Sequence, residues 1–232
     1  MTNLAKEWTL EKALAAKGLP LQSERQPSSL GLFHLLGELK SIKRAGWVRN
    51  GIEDCETIAA HSFRMIAMVE QLPATIDKYR CMKMCMYHDL AESIVGDYTP
   101  MDRIPKDEKY RREKEAIDYI TQTQVQDAQV GSDILSCWLE FENGETEESK
   151  YANDLDKVDM ITQMFEYEKR EDGRVNLHEF TRAANFLRKP ETKTWVDELL
   201  TERALFWAEK SLAAKVEEDE TTKKLVDEYY GS

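Results

Sequence analysis

Met86-Tyr87-His88-Asp89-Leu90-Ala91-Glu92-Ser93-Ile94-Val95-Gly96-Asp97 is the stretch on which the reading of this chain turns. An apolar helical run containing Cys81, Met82, Cys85, Met86 and Tyr87 leads into adjacent His and Asp side chains. Glu92 follows Asp89 by three residues, and a Gly-Asp pair follows at Gly96-Asp97. Few local sequences set two metal-binding side chains side by side at the end of such a helix. The chain has 4 histidines, His34, His61, His88 and His178, and two of them fall in segments that read as helices of a site.

The segments around this stretch also read as helical. Upstream, Ile58, His61, Met65, Met68 and Leu72 recur three and four apart, which predicts a helix over about 56–72, closed by Pro73. The His-Asp stretch itself predicts one helix over about 77–94, with a loop from Val95 to Pro100. Earlier still, Leu32, Leu35, Leu36, Leu39 and Ile42 follow Pro27-Ser28-Ser29, with Gly46 as a stop signal. A loop, Trp47-Val48-Arg49-Asn50-Gly51, comes next. Residues 1–27 read as a peripheral segment, with Trp8, Leu10, Ala13 and Leu14 forming a short amphipathic helix.

Downstream, helices are expected over about 106–123, 133–141, 150–169 and 195–214. A further helix is expected to be capped by Asn176, with Glu179 in capping-box position. The tail 215–232 is charged and weakly periodic, although Leu225, Val226, Tyr229 and Tyr230 could dock. No segment alternates at period two, and only 10 glycines and 6 prolines punctuate the chain. The expected fold is all-α, a helical bundle of about seven to nine helices over residues 28–214.

Composition excludes several classes of function. The formal net charge of -12 opposes a long nucleic-acid footprint, which needs clustered Lys and Arg. It does not oppose one small phosphate ester, because a local metal and one or two basic groups override the global field. No apolar run approaches the roughly 18 residues of a membrane span, and the N-terminus is too polar and acidic for a leader peptide. The expected location is the cytosol, with nuclear access open. Cys55, Cys81, Cys85 and Cys137 form no C-x-x-C pair, so they read as buried thiols in a reducing compartment.

Histidine nitrogen and carboxylate oxygen suit Mn, Fe, Co, Zn or Mg, and a site with open positions leaves room for water and substrate. Taken singly, each residue has an ordinary explanation. His61 fits a core histidine on an apolar stripe, and Asp156 a solvated carboxylate. The ordered set is more specific: His61, then His88-Asp89 with Glu92, then Gly96-Asp97, then Asp156 followed by Lys157.

These residues resemble the HD-domain phosphohydrolases, and more narrowly their 5′-deoxynucleotidase branch. The likeness is carried by Ala60-His61-Ser62-Phe63-Arg64-Met65, by Tyr87 to Asp97, by Asp154-Leu155-Asp156-Lys157 and by Lys43-Arg44-Ala45-Gly46-Trp47-Val48. It spans about 30–210. The resemblance implies one divalent cation (Mn, Co, Mg, Fe or Zn) held by His61, His88, Asp89 and Asp156. It also implies that Glu92 orients or deprotonates the attacking water, and that Asp97 lies near the scissile phosphate or the sugar. Arg44 is the expected phosphate contact, or else a cation stabilising a helix C-terminus. Trp47 is expected against sugar or base, or else as a partly buried core residue. Lys157 is expected as a second phosphate contact or as a surface lysine. The family usually carries an acid immediately before the first histidine, and here that position is Ala60.

The implied reaction is phosphate release from 2′-deoxyribonucleoside 5′-monophosphates. The alternatives are a phosphodiesterase, a triphosphohydrolase or a non-catalytic metal-binding helical adaptor. A triphosphohydrolase would need more basic groups near the motif than the chain offers. Nothing in the sequence calls for a nucleic-acid polymer or a membrane as partner, and its large apolar residues permit a homodimer.

Overall fold

The structure, a computed structural model, describes residues 8–19, 28–210 and 220–230. Among them are eleven α-helices and no strand. An isolated antiparallel bridge joins Lys43 and Thr57. No helix among the described residues is long and apolar enough to cross a membrane. All four cysteines are buried and free, as the composition suggested. The helices group into two compact units, residues 1–63 with 86–143 and residues 64–85 with 144–232.

The first unit carries α1 (Leu10–Ala16), α2 (Ser29–Leu39), α3 (Ala45–Arg49), the start of α4 (Ile58–Met68), the end of α5 (Lys78–Tyr87), α6 (Glu92–Val95), α7 (Lys106–Tyr119) and α8 (Ala128–Asn143). Ser28 starts α2 by accepting the Leu30 N–H on its hydroxyl at 3.2 Å, which satisfies a donor that the helix cannot. The core of the unit joins Leu14, Leu35, Leu39, Ile58, Leu90, Ile94, Ile117, Ile120, Ile134 and Trp138. Burying each aliphatic side chain contributes about 1.5–3 kcal/mol. α1 therefore adds an anchor, Leu14, to this core, and Lys17 ends the helix with Gly18 beyond it at φ +67.

α7 runs into a π turn, Ile120–Gln124. α8 crosses that turn at Gly131, where a Cβ would stand 2.5 Å from the Thr121 carbonyl oxygen, so glycine alone allows the approach. α8 begins about five residues earlier than its apolar pattern indicated. The expected helix over 77–94 is interrupted. α5 stops at Tyr87, and residues 88–91 form a tight turn before α6. There the Leu90 N–H bonds the Tyr87 carbonyl at 3.1 Å and the Glu92 N–H bonds the Asp89 carbonyl at 3.0 Å. These are three-residue spacings, tighter than an α-helix.

The second unit carries the end of α4, most of α5, α9 (Glu147–Arg170), α10 (Pro190–Glu209) and α11 (Glu220–Tyr230). Thr146 caps α9 by accepting the Ser149 N–H at 3.1 Å, three residues upstream of the expected start. α9 buries Leu155, Val158, Ile161, Met164 and Phe165, and with them three carboxylates, Asp154, Asp159 and Glu168. The segment after Asn176 is a 3-10 helix, His178–Phe186, where an α-helix was expected. The N-cap position is Leu177, without a side-chain cap bond, although the Asn176 side chain accepts the His178 N–H at 3.0 Å. The preceding Leu177 N–H is drawn to Glu168 at 2.8 Å, which fixes how the segment enters.

Candidate metal centre

The tight turn between α5 and α6 is what arranges the site in the first unit. His88 and Asp89 open that turn just past the end of α5, and their side chains turn toward His61 on α4. The His61 and His88 rings meet edge to face with centroids 5.4 Å apart. His61 is fully buried and His88 nearly so. Phe141 of α8 lies against the His88 ring at 4.8 Å and walls that side. Asp89 Oδ2 stands 3.0 Å from His88 Nε2 and 4.0 Å from His61 Nε2. Two donors on one ion, each at about 2.0–2.2 Å, can be no more than about 4.4 Å apart, so both spacings fit a shared divalent cation.

Arg44 reaches the same carboxylate, with Nη1 3.3 Å from Asp89 Oδ2. Burial alone would raise the Asp89 pKa. The His88, Arg44 and His61 charges outweigh it and hold the group well below the usual carboxylate range. Arg44 is placed by backbone pairing. Its N–H bonds the Glu56 carbonyl at 3.1 Å, and the Ile58 N–H bonds the Ile42 carbonyl at 3.0 Å, so the residues before α3 are laced to those before α4. The start of α3 is held from the far side of the motif, because Asp97 Oδ2 accepts the Ala45 N–H at 2.6 Å. Gly96, at φ +81, supplies the left-handed turn that aims Asp97 there.

Glu92, the first residue of α6, is buried, and its Oε2 has no hydrogen-bond partner among the described residues. Burial, then the charges of Asp89 and Asp97, push its pKa well above the ordinary value, against the pull of Lys109 and Arg44. A buried carboxylate oxygen without a donor is costly unless a cation or ligand completes it. That atom and the two-histidine, one-carboxylate cluster beside it both fit a metal with an attacking water.

Two expectations change here. Trp47 is only 2% exposed, and its indole N–H is committed to Glu56 at 2.9 Å, so it supports the loop bearing Arg44 and offers no open ring face. Lys157, in the second unit, is 8% exposed, which removes the surface-lysine alternative. Its Nζ donates to the Asn153 carbonyl at 2.8 Å. Asp156, beside it on α9, is half-buried. Ala60 is exposed, where the family's usual acid would stand.

One participant escaped the sequence. Glu113 of α7 is buried, pairs with Lys109 at 2.7 Å, and lies close enough to Asp89 and Asp97 to feel their charges. A Lys and a Glu four apart on a charged helix read as a solvated pair, and only the buried face of α7 reveals otherwise.

The HD domain family matches residues 36–195, and the chain belongs to that family. Among its relatives, the 5′-deoxynucleotidase hdd1 of Schizosaccharomyces pombe is 42% identical over 192 residues, covering 81% of this chain and 96% of the relative. The 5′-deoxynucleotidase YGK1 of Saccharomyces cerevisiae is 34% identical over 204 residues, covering 86% and 95%. The 5′-deoxynucleotidase HDDC2 of Homo sapiens is 37% identical over 179 residues, covering 76% and 87%. The solved structure of the HD domain-containing protein YGK1 matches with a TM-score of 0.64 at 26% identity, over 86% of this chain and 99% of that one.

Proposed function

We propose that this chain is a metal-dependent 5′-deoxynucleotidase that releases phosphate from 2′-deoxyribonucleoside 5′-monophosphates. The observation that carries the reading is the buried His61, His88 and Asp89 cluster with the undonated Glu92 oxygen beside it. The family relatives supply the substrate class. In this reading Asp156 completes the ligand set.

A divalent ion held by these four residues would polarise a phosphate oxygen and acidify a bound water. The other roles belong to the chain. Arg44, whose guanidinium stands beside Asp89, is assigned as the phosphate contact. Glu92 takes and returns the proton of the attacking water, a task suited to a carboxyl whose proton affinity is raised. Asp97 fixes the first turn of α3 and with it the height of Arg44. Lys157 is assigned as a second phosphate contact. A homodimer and a cytosolic location belong to the same proposal through the resemblance, and sedimentation and imaging of a tagged chain test them.

The test is phosphate release from deoxyadenosine monophosphate and from adenosine monophosphate, each with Mn(II) or Co(II) added. The deoxy substrate is expected to turn over at least about tenfold faster, because a site fitted to C2′ leaves an added hydroxyl without a partner. Equal rates would leave a general 5′-nucleotidase.

A further inference from the structure

The helix α1 lies before the residues that match the HD domain family, yet it packs against α6 and α7 in the first unit. Its Leu14 joins the core that holds Leu90 and Ile94, on either side of Glu92. Trp8, just ahead of the α1 cap Thr9, lays its ring against two arginines of α7. The Arg111 and Arg112 guanidinium carbons each stand 5.5 Å from its ring centroid. Such contacts are attractive because the face of an aromatic ring is electron-rich.

Arg112 is buried, with 3% of its surface exposed. A buried guanidinium is costly unless its donors are matched. Its Nε pairs with Glu108 at 2.8 Å, and its Nη1 donates to the Tyr98 hydroxyl at 3.2 Å. The Tyr98 ring also meets it, with the guanidinium carbon 5.6 Å from the ring centroid. Tyr98 follows Asp97 in the loop after α6, and that loop grips α3 at two points. Asp97 Oδ2 accepts the Ala45 N–H at 2.6 Å, and Asp102 pairs with Arg49 at 2.8 Å. Contacts therefore run without a gap from Trp8 through Arg112, Tyr98 and Asp97 to the residue after Arg44, all inside the first unit.

We propose that Arg112, steadied by Trp8, is a positioning residue for the substrate phosphate: it fixes the Asp97 loop and, through that loop, the placement of Arg44. A guanidinium fork matches phosphate oxygens in a narrow geometry, so a small shift of α3 costs affinity. The segment expected to be peripheral then belongs to the framework of the site. The functional half of this proposal rests on the nucleotidase reading above.

Two readouts on full-length protein separate the parts. The first is hydrogen exchange of the Ala45 amide, followed by NMR with the Ile134 amide of α8 as reference. Trp8→Ala is expected to speed Ala45 several-fold and leave Ile134 alone. Arg112→Lys, which keeps the charge and loses the planar fork, is expected to do the same. Trp8→Phe, which keeps a ring over the arginine, is expected to stay near the wild-type rate. Unchanged exchange at Ala45 in both disruptive variants, or equal acceleration at Ala45 and Ile134, overturns the positioning role whatever the enzyme does. The second readout is steady-state turnover of deoxyadenosine monophosphate with Mn(II). Trp8→Ala is expected to raise KM several-fold with kcat little changed, and to add nothing further in an Arg44→Lys background. Faster Ala45 exchange with an unchanged KM, or a KM effect that persists in full without Arg44, overturns the link to the phosphate contact. Absence of turnover in every form, wild type included, refutes the nucleotidase reading, and the exchange still decides whether Arg112 and Trp8 hold the loop.

Discussion

Both units bury carboxylates, and the buried acids of the second unit differ from Glu92 and Asp89 of the first. In the second unit each buried acid is surrounded by donors. Glu168 accepts from the Leu177 N–H at 2.8 Å, from Arg203 twice at 2.7 Å and from the Trp207 indole at 3.0 Å. Asp154 accepts the Arg188 and Lys189 N–H groups at 2.9 and 2.8 Å and the Thr192 hydroxyl at 2.7 Å. Asp159 is paired with Arg64. In the first unit, Glu92 is just as enclosed but one of its oxygens has no donor, and Asp89 faces two imidazoles and a guanidinium in a cluster fit for a cation. A satisfied buried acid is architecture, whereas an unsatisfied one beside imidazoles marks a place where something binds.

The largest effect expected from this contrast is on stability. Glu168→Ala leaves Arg203 and the Trp207 N–H without their acceptor and is expected to cost about 3–5 kcal/mol, read by urea denaturation. A loss under about 1 kcal/mol would remove the structural half of the contrast.

Glu92→Gln should do the reverse. It replaces a buried carboxyl that has an oxygen without a donor by a neutral amide, so the melting temperature should hold or rise. Turnover should fall roughly 100-fold with metal binding retained, as for loss of a proton-transferring group. A destabilised variant with unchanged turnover would place Glu92 with the structural acids.

Arg44→Lys sharpens the comparison further, because it keeps the charge near Asp89 and loses the planar fork. The expected result is a KM raised about tenfold, in line with one lost charge-assisted contact. An unchanged KM would confine Arg44 to holding Asp89.

The smallest effect is expected from Trp47→Phe. The benzene ring is kept while the pyrrole ring and its bond to Glu56 are lost, so stability should drop by about 1 kcal/mol with little change in KM. A large change in KM would return Trp47 to the substrate.

Much of this was legible in the sequence, and the gaps have physical causes. Periodic apolar residues located α4, α7 and α9 to within a few residues, because a helix face in contact with a core must repeat near 3.6, whereas α10 begins five residues before the expected 195 and α2 ends well before Gly46. The break between Tyr87 and Glu92 was not legible. His, Asp, Leu and Ala are all compatible with continuing a helix, and the tight turn is imposed by the packing of Leu90 and Ile94 into the first unit's core. The burial of Trp47 was open for the same reason, since its partner Glu56 comes from the next loop. The burial of Asp154 and Glu168 was not legible because donors to them lie 34 and 39 residues further along the chain, Arg188 for Asp154 and Trp207 for Glu168. The motif residues were readable because order and spacing, and not burial, identify them.

The most direct test of the central claim is phosphate release from deoxyadenosine monophosphate by metal-stripped protein as Mn(II) is titrated back. The account predicts no release without the ion, saturable recovery in the wild-type chain, and no recovery in a folded Asp89→Asn variant. Release that persists in the stripped protein, or that Asp89→Asn restores in full, would contradict it.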